Sequence, residues 1–542
     1  MHILSLFLSD ASPAPAFFDH SAKISVSTNN VAPSANLNLD LDHLPDAPPT
    51  ANNNNLLHPQ HPAALSPPSS PLSSLPPSDD PTIDITTTIP ETVLISHAPG
   101  WSLFRNLYMS GGTLFIVTSD PAAFPDISLL TSTGLPAENT PESIQARMPT
   151  AKDMAVITPR EAHRRWGGEP LLGHKNRIFP IEGSTFLFND PGQFLNHYYH
   201  FCAELLFGAW AFWSGTFASA PPAAQDVPTT PHPARIIFPH ATAPEWRDSP
   251  GFNAYFLRAA FPSVAVETQH DWADRTRAGG TGGAKPRAWW FDTVLLADRS
   301  AAFRGPECGS RTQRTAAEAL RAVSSAAPRT DGSLASPVPA SRARDLHTNW
   351  WEPVRRAVLR FAGVDPAVLD LGLRASSREA GGLAPAEVVV TYISRQSVRR
   401  RLVAEDHEGL VRALREVCGR RGWELNVVKA EKMTREEQVA VVARTTILLG
   451  VHGNGLTHLV MMPVTPVSTV IEIFYPSGFA HDYEWTARAR GMRHFAIWND
   501  TALAYPDIQY PNYPEGFQGT QIPVHGPHVA KLIEDRVDGR LP

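Results

Sequence analysis

The sequence predicts an α/β protein whose second half is a doubly wound parallel sheet. From about residue 386, short apolar runs alternate with helical stretches. Polar clusters sit just past three of those runs, and one run ends in the glycine-bearing turn Gly450-Val451-His452-Gly453-Asn454-Gly455. Strands alternating with helices imply right-handed crossovers and a parallel sheet, whose ligands bind beyond the carboxyl ends of the strands.

In the first half, Thr92 to Ser96 and Gly112 to Val117 are strand-like, and the aromatic segment Trp101 to Tyr108 joins them. Phe186-Leu187-Phe188 predicts a short strand, followed by a helix from about Gln193 to Ser214. Arg235 to Phe238 and Thr293 to Leu296 have the β-branched, apolar character of buried strands. Segments near 217–233, 279–283 and 325–344 are rich in Ala, Pro, Gly or Ser and predict loops or insertions. In the second half, Val388 to Ile393, Glu424 to Val428, Ile447 to Val451, Val470 to Phe474 and Phe495 to Trp498 predict strands. The helices between them are Glu405 to Arg420, Thr434 to Ala443 with Thr434 as N-cap, a segment after the glycine turn, and His481 to Arg490.

These elements divide the chain into four parts: a stem over residues 1–90, an α/β domain with loop insertions over 91–385, a Rossmann-like domain over 386–500, and a tail over 501–542 that packs back. The stem is dominated by Ser, Pro, Asn, Ala and Asp, and cannot bury enough apolar surface to offset its ordering entropy. It holds Asp40-Leu41-Asp42, a pattern that binds metal in some enzymes, where an unstructured chain could not fix an ion. The apolar start, Met1 to Leu8, is too short for a membrane span and lacks a basic flank.

The net charge of -6 argues against a general nucleic-acid binder, so local basic clusters call for a local anionic ligand. Cys202, Cys308 and Cys418, with no C-x-x-C, support neither a disulfide scaffold nor a cysteine zinc site. One sequon, Asn499-Asp500-Thr501, matters only in a secretory compartment.

Three clusters carry chemistry. At the glycine turn, close backbone approach and free N–H groups suit a phosphate, although the same glycines also suit an ordinary strand–turn–helix junction. The turn is not a P-loop, since no Lys-Ser/Thr pair follows. Ser394-Arg395-Gln396-Ser397-Val398-Arg399-Arg400-Arg401 places four arginines past a strand, where planar guanidinium forks can grip a diphosphate. Glu472, inside an apolar strand, needs a partner, either a ribose diol or one of the arginines. In the third cluster, Asn196 to Leu206, His200 and Glu204 stand i, i+4 on one helix face, where a carboxylate can orient an imidazole. His197 and His200 could be half of a metal site, but no matching ligands stand out, and a core aromatic helix explains the same run.

Ser394-Arg395 with Arg400-Arg401-Leu402, the run Gly450 to Thr457, Pro463 and Ile471-Glu472-Ile473 together resemble glycosyltransferase family 61, in the manner of its fungal branch. The segment Asn196 to Leu206 is similar to the family's amino-terminal His-x-x-x-acidic region, with Glu204 at the acidic position. The resemblance implies a GT-B architecture, two Rossmann-like domains facing a cleft. It further implies a UDP-sugar donor (xylose or GlcNAc), a glycan or glycoprotein acceptor, inversion at the anomeric carbon, no cofactor or obligatory metal, and a Golgi or secretory location. On that reading Glu204 is the base with His200 second. Arg395, Arg400, Arg401, His452, Gly453, Asn454, Gly455, Leu456, Thr457 and Glu472 hold the nucleotide sugar. Two other readings stay open: a non-catalytic nucleotide-sugar or glycan binder on the same fold, and a hydrolase using His452.

Overall fold

The computed structural model describes residues 84–138, 140–169, 172–218, 230–280, 285–302, 350–372, 383–505, 507 and 511–541. The stem through residue 83, the loop expected near 325–344 and Cys308 lie outside them. Residues 84–90 already make defined contacts: Ile85 is buried, and the Thr86 carbonyl accepts from the Asn176 N–H.

The protein is α/β, built on two sheets. The first holds β1 (Val93–Ala98), β2 (Trp101–Ser110), β3 (Thr113–Val117), β4 (Met154–Ile157), β5 (Ile178–Phe188), β6 (Arg235–Ile237), β7 (Ala265–Glu267) and β8 (Ala288–Ala297). Its order is β4–β3–β2–β8–β5–β6–β7, with β1 on β2. Strands β8, β5, β6 and β7 run parallel, whereas β2 is antiparallel to both β3 and β8. This sheet is therefore mixed. Gly111 and Gly112, with φ of 60° and 89°, form the two-residue turn between β2 and β3 that a tight hairpin requires. Trp101 to Tyr108, expected to be a connection, lies within the ten-residue strand β2. Its central position, buried on both faces over most of its length, removes the alternation that would have marked it as a strand.

The second sheet comprises β9 (Val389–Ile393), β10 (Glu424–Val428), β11 (Ile447–Val451), β12 (Thr469–Ile473), β13 (Arg493–Trp498) and β14 (Thr501–Leu503). Its order is β10–β9–β11–β12–β13–β14, parallel throughout except for the last, antiparallel strand. Every residue of β9, β11 and β12 is buried, the pattern of strands covered on both faces. Thr434 caps the helix Arg435–Arg444 as expected, its hydroxyl accepting from the Glu437 N–H while the Glu437 carboxylate accepts from the Thr434 N–H. Strand order reverses between β9 and β11, and the crevice at such a reversal is where open α/β sheets bind ligands.

The helix expected from 193 to 214 is three pieces. A short turn, Gly192–Leu195, precedes a π-helical segment, Tyr199–Leu206, which runs into the α-helix Phe207–Ala218. All eight residues of the π segment are buried, as its nearly unbroken apolar sequence demands. It packs on the segment Asn454–Met461, which is a 3-10 helix rather than the expected α-helix. One apolar cluster runs through both halves, joining Trp101, Phe186, Trp210 and Leu295 to Trp351, Ile393, Leu448 and Leu456.

Beyond residue 500, the helix Gly526–Val537 packs against Ala404–Arg421. The approach is close enough that a Cβ on Gly526 would stand 2.6 Å from the Leu410 Cα. Gly526→Val is therefore expected to destabilise the protein by ~1–3 kcal/mol through overpacking. An unchanged thermal midpoint would mean that this helix does not dock in solution.

Candidate functional site between the sheets

The loop Arg395–Leu402 leaves β9 at the strand-order reversal and folds back on itself. Gln396 braces it twice, accepting from the Leu402 N–H at 3.0 Å and donating to the Leu402 carbonyl at 3.3 Å. Arg400 holds a left-handed backbone, φ 57°, a conformation that costs a non-glycine residue energy and recurs at functional sites. Both Arg395 and Arg400 are buried. The neighbouring strand β11 is followed directly by His452 and Gly453. Gly453 has φ 147°, and a Cβ there would stand 2.6 Å from Arg395 Nη1. Only glycine lets that guanidinium lie on the turn.

His452 and Glu472 follow from sheet register. Glu472 on β12 is flanked by Gly450 of β11 and Ala496 of β13, the two small residues opposite it. Two positions along each neighbour, on the same face, stand His452 and His494. The fully buried Glu472 carboxyl sits between them, bonded to His452 Nδ1 through Oε1 and to His494 Nε2 at 2.8 Å through Oε2. Burial pushes Glu472 well above the usual carboxylate range, the nearby acidic Asp482 adds to the rise, and Arg400 opposes it. Burial likewise holds His452 well below the ordinary imidazole value, helped by Arg400, Arg395 and His494. Glu472 is thus bonded to two histidines, partners its sequence context did not single out. It fixes two imidazoles, and Nε2 is the His452 nitrogen left for a ligand. The His452 ring stacks on Phe474 and also meets Tyr483 and Phe517.

From the first half, the π segment contributes a second imidazole–carboxyl pair. His200 Nδ1 and Glu204 Oε2 are 2.7 Å apart, so the i, i+4 contact expected on an α-helix forms within π geometry. Arg299 also reaches Glu204 Oε2, at 2.5 Å, while its backbone N–H donates to Asp190. Glu204 Oε1 is buried with no hydrogen-bond partner among the described residues. Burial raises Glu204 and Arg299 opposes the rise; burial lowers His200, and the Arg299 charge lowers it further. Glu204 is completely covered, whereas His200 retains 8% exposure.

The two halves meet through Tyr199 and Tyr483, whose rings are 4.9 Å apart, and through the Tyr199 N–H, which donates to Asn454 Oδ1 at 3.1 Å. Thr457 Oγ donates to the same Asn454 oxygen at 3.2 Å. Leu456 is a core residue, and its N–H is used by the Gly453 carbonyl at 3.0 Å. Gly455 packs its backbone on Ile393. Arg401 pairs through its backbone with Gly519 and Ile522. Among the described residues no group of three or more His, Cys, Asp or Glu is arranged to hold a metal ion, so His197 and His200 lack a third ligand there.

Asp482 was not singled out from the sequence. It opens the helix Asp482–Ala489 just past β12 and is half-buried. Burial pushes it up to about 7, the Glu204 charge adds to the rise, and His481, Arg400 and Arg299 pull it down. Carboxyls of both halves and two guanidiniums therefore share one neighbourhood. Its position beyond a parallel strand's carboxyl end was the available signal.

The family model described as Glycosyltransferase 61 matches residues 198–471, about half of the chain. This chain belongs to glycosyltransferase family 61. The matched span begins two residues before His200 and ends one residue before Glu472, so this family 61 protein carries both imidazole–carboxyl pairs at the limits of the family region. It is 30% identical over 130 residues to the EGF domain-specific O-linked N-acetylglucosamine transferase of Drosophila melanogaster, covering 24% of this chain and 23% of that protein. Against the Mus musculus protein of the same description it is 31% identical over 122 residues, 22% of this chain and 21% of the relative. The similarity thus spans under a quarter of these relatives' length.

Burial also makes this family 61 site pH-sensitive. His458, in the segment after the glycine turn, is pushed down to about 4 by burial and bonds Gln438 at 2.9 Å. An unfolded histidine takes up a proton near ~6.5, so stability should be full above that pH and should fall as pH drops from there toward about 4. His458→Gln is expected to flatten the loss of urea midpoint between pH 7.5 and pH 5. An equally steep loss in the variant would show that His458 does not contribute to it.

Proposed function

We propose that this chain is an inverting, metal-independent glycosyltransferase of GT-B architecture. It moves a sugar, GlcNAc or xylose, from a UDP-sugar to a hydroxyl of a glycan or glycoprotein. The observation that carries this reading is the contact between the Arg395 guanidinium and the bare backbone of Gly453, with Arg400 and His452 beside it at the strand-order reversal. Such a cluster of fixed positive charge suits a pyrophosphate. The named activity of the relatives favours GlcNAc as the donated sugar and a glycoprotein as acceptor. A secretory-pathway setting follows from the same relatives; no helix among the described residues is long and apolar enough to cross a membrane.

In this mechanism His200 Nε2 takes the proton of the acceptor hydroxyl, while Glu204 holds Nδ1 and stabilises the imidazolium as it forms. Glu204, the base expected from the sequence, acts from behind His200 because it is fully covered. The acceptor oxygen bonds to the anomeric carbon from the face opposite the diphosphate. The anomeric carbon–oxygen bond breaks, and UDP leaves with the electron pair. Arg395 and Arg400 offset the charge growing on the diphosphate, and His452 Nε2, its ring locked by Glu472, hydrogen-bonds the phosphate or the sugar. Gly455 and Thr457 shape the turn, and Arg401 supports the loop through its backbone.

UDP release from a panel of UDP-sugars, with and without a glycoprotein acceptor, tests the reading. Acceptor-stimulated release from one donor is the expected result, and absence of both UDP binding and release would overturn it. Arg395→Ala should weaken UDP binding by ~1.5–3 kcal/mol, the range for hydrogen bonds to charged groups; calorimetry showing unchanged affinity removes Arg395 from the site. His200→Ala and Glu204→Gln should each leave UDP affinity intact and cut turnover by ~10²–10⁴-fold. Wild-type turnover in both variants would place the base elsewhere in the cleft.

A further inference from the structure

The first N–H groups of any helix have no partner within it and must be satisfied from outside. The segment carrying His200 and Glu204 starts at Tyr199, and the Tyr198 side chain at its N-cap position does not cap it. The missing acceptor comes from the other half of the protein: Asn454 Oδ1 accepts from the Tyr199 N–H at 3.1 Å. Asparagine is among the best capping side chains, and here it caps a helix more than 250 residues away in sequence. Asn454 directly follows Gly453, on which the Arg395 guanidinium lies. Its oxygen is steadied from behind by Thr457 Oγ at 3.2 Å. The residue is half-exposed, and its side-chain NH₂ makes no hydrogen bond among the described residues. One carboxamide thus has its oxygen on the helix that bears His200–Glu204 and its amide nitrogen open beside the arginine-bound turn.

We propose that Asn454 is a positioning residue: it caps the His200–Glu204 segment in trans, so that an anion seated on the glycine turn fixes that pair at the same time. A two-sided contact of this kind couples the sites through one rigid group, because movement of the turn moves the cap. The catalytic meaning rests on the transferase reading above, whereas the cap itself does not.

Two measurements on the full chain separate those levels. Hydrogen exchange across residues 199–206 should quicken in Asn454→Ala relative to the wild type, and added UDP should slow it in the wild type but not in the variant. Asn454→Asp retains an acceptor oxygen and should restore the protection. In the transfer assay, Asn454→Ala should lower kcat by roughly 3–10-fold, the loss expected for one capping bond, with UDP affinity changed less than about twofold, the split expected when a bond outside the donor contacts is lost. Asn454→Asp should recover kcat while raising the KM for the UDP-sugar, since a new negative charge then faces the diphosphate. Unaltered exchange in Asn454→Ala would overturn the proposal. So would weakened UDP affinity with normal kcat, which would make Asn454 a donor contact only. If the wild type binds UDP without transferring sugar, yet Asn454→Ala still loosens 199–206, the cap stands and the transferase reading falls.

Discussion

A guanidinium can lie against the end of a strand only where no side chain stands in its way, and Gly453 provides that opening. With φ at 147°, and Arg395 Nη1 only 2.6 Å from where a Cβ would stand, any side chain here is strained. The rest of the site is organised round that contact. Gln396 closes the loop that carries Arg395 and Arg400, and Arg400 accepts an unfavourable backbone to turn inward. Burial, and after it the charges of Arg400 and Arg395, hold His452 well below the ordinary imidazole value.

Two imidazole–carboxyl pairs stand on opposite halves, and they are built by different means. His200 and Glu204 are neighbours along one helical segment, so their pairing is local. His452 follows one strand and Glu472 lies within the next, and they meet because sheet register sets the small residues Gly450 and Ala496 on either side of Glu472. In both pairs the carboxyl is wholly buried and commits one ring nitrogen, which fixes the direction of the other. The tyrosine contact between residues 199 and 483 joins the pairs, and Asp482 places a third carboxyl between them. The shared apolar cluster that unites the two sheets holds these polar groups in place, since the segments bearing them are themselves core elements.

Much of the second sheet was legible in the sequence. Strands β9 and β11 are largely apolar five-residue runs, Thr434 is a recognisable helix cap, and the alternation of strands with helices admits few topologies. The first sheet was less legible. Strands β4, β7 and the central β2 escaped, because they are too short or too thoroughly buried to alternate, and the antiparallel hairpin at Gly111-Gly112 breaks the parallel rule. The helix of residues 193–214 was visible as apolar sequence, but its π register was not, since i→i+5 bonding leaves no period that propensity can reveal.

By itself the sequence determined the residue types that can hold a phosphate and move a proton, and the strand ends at which they lie. It determined the family as well, through motifs whose spacing is local. Tertiary structure alone decided which of those residues meet. It gave Glu472 two histidines as hydrogen-bond partners, sent Leu456 into the core, and brought Asn454 to the helix of His200. Each of those outcomes depends on strand register or on contact between distant segments, and a linear pattern does not encode the distance between residues that only folding makes neighbours.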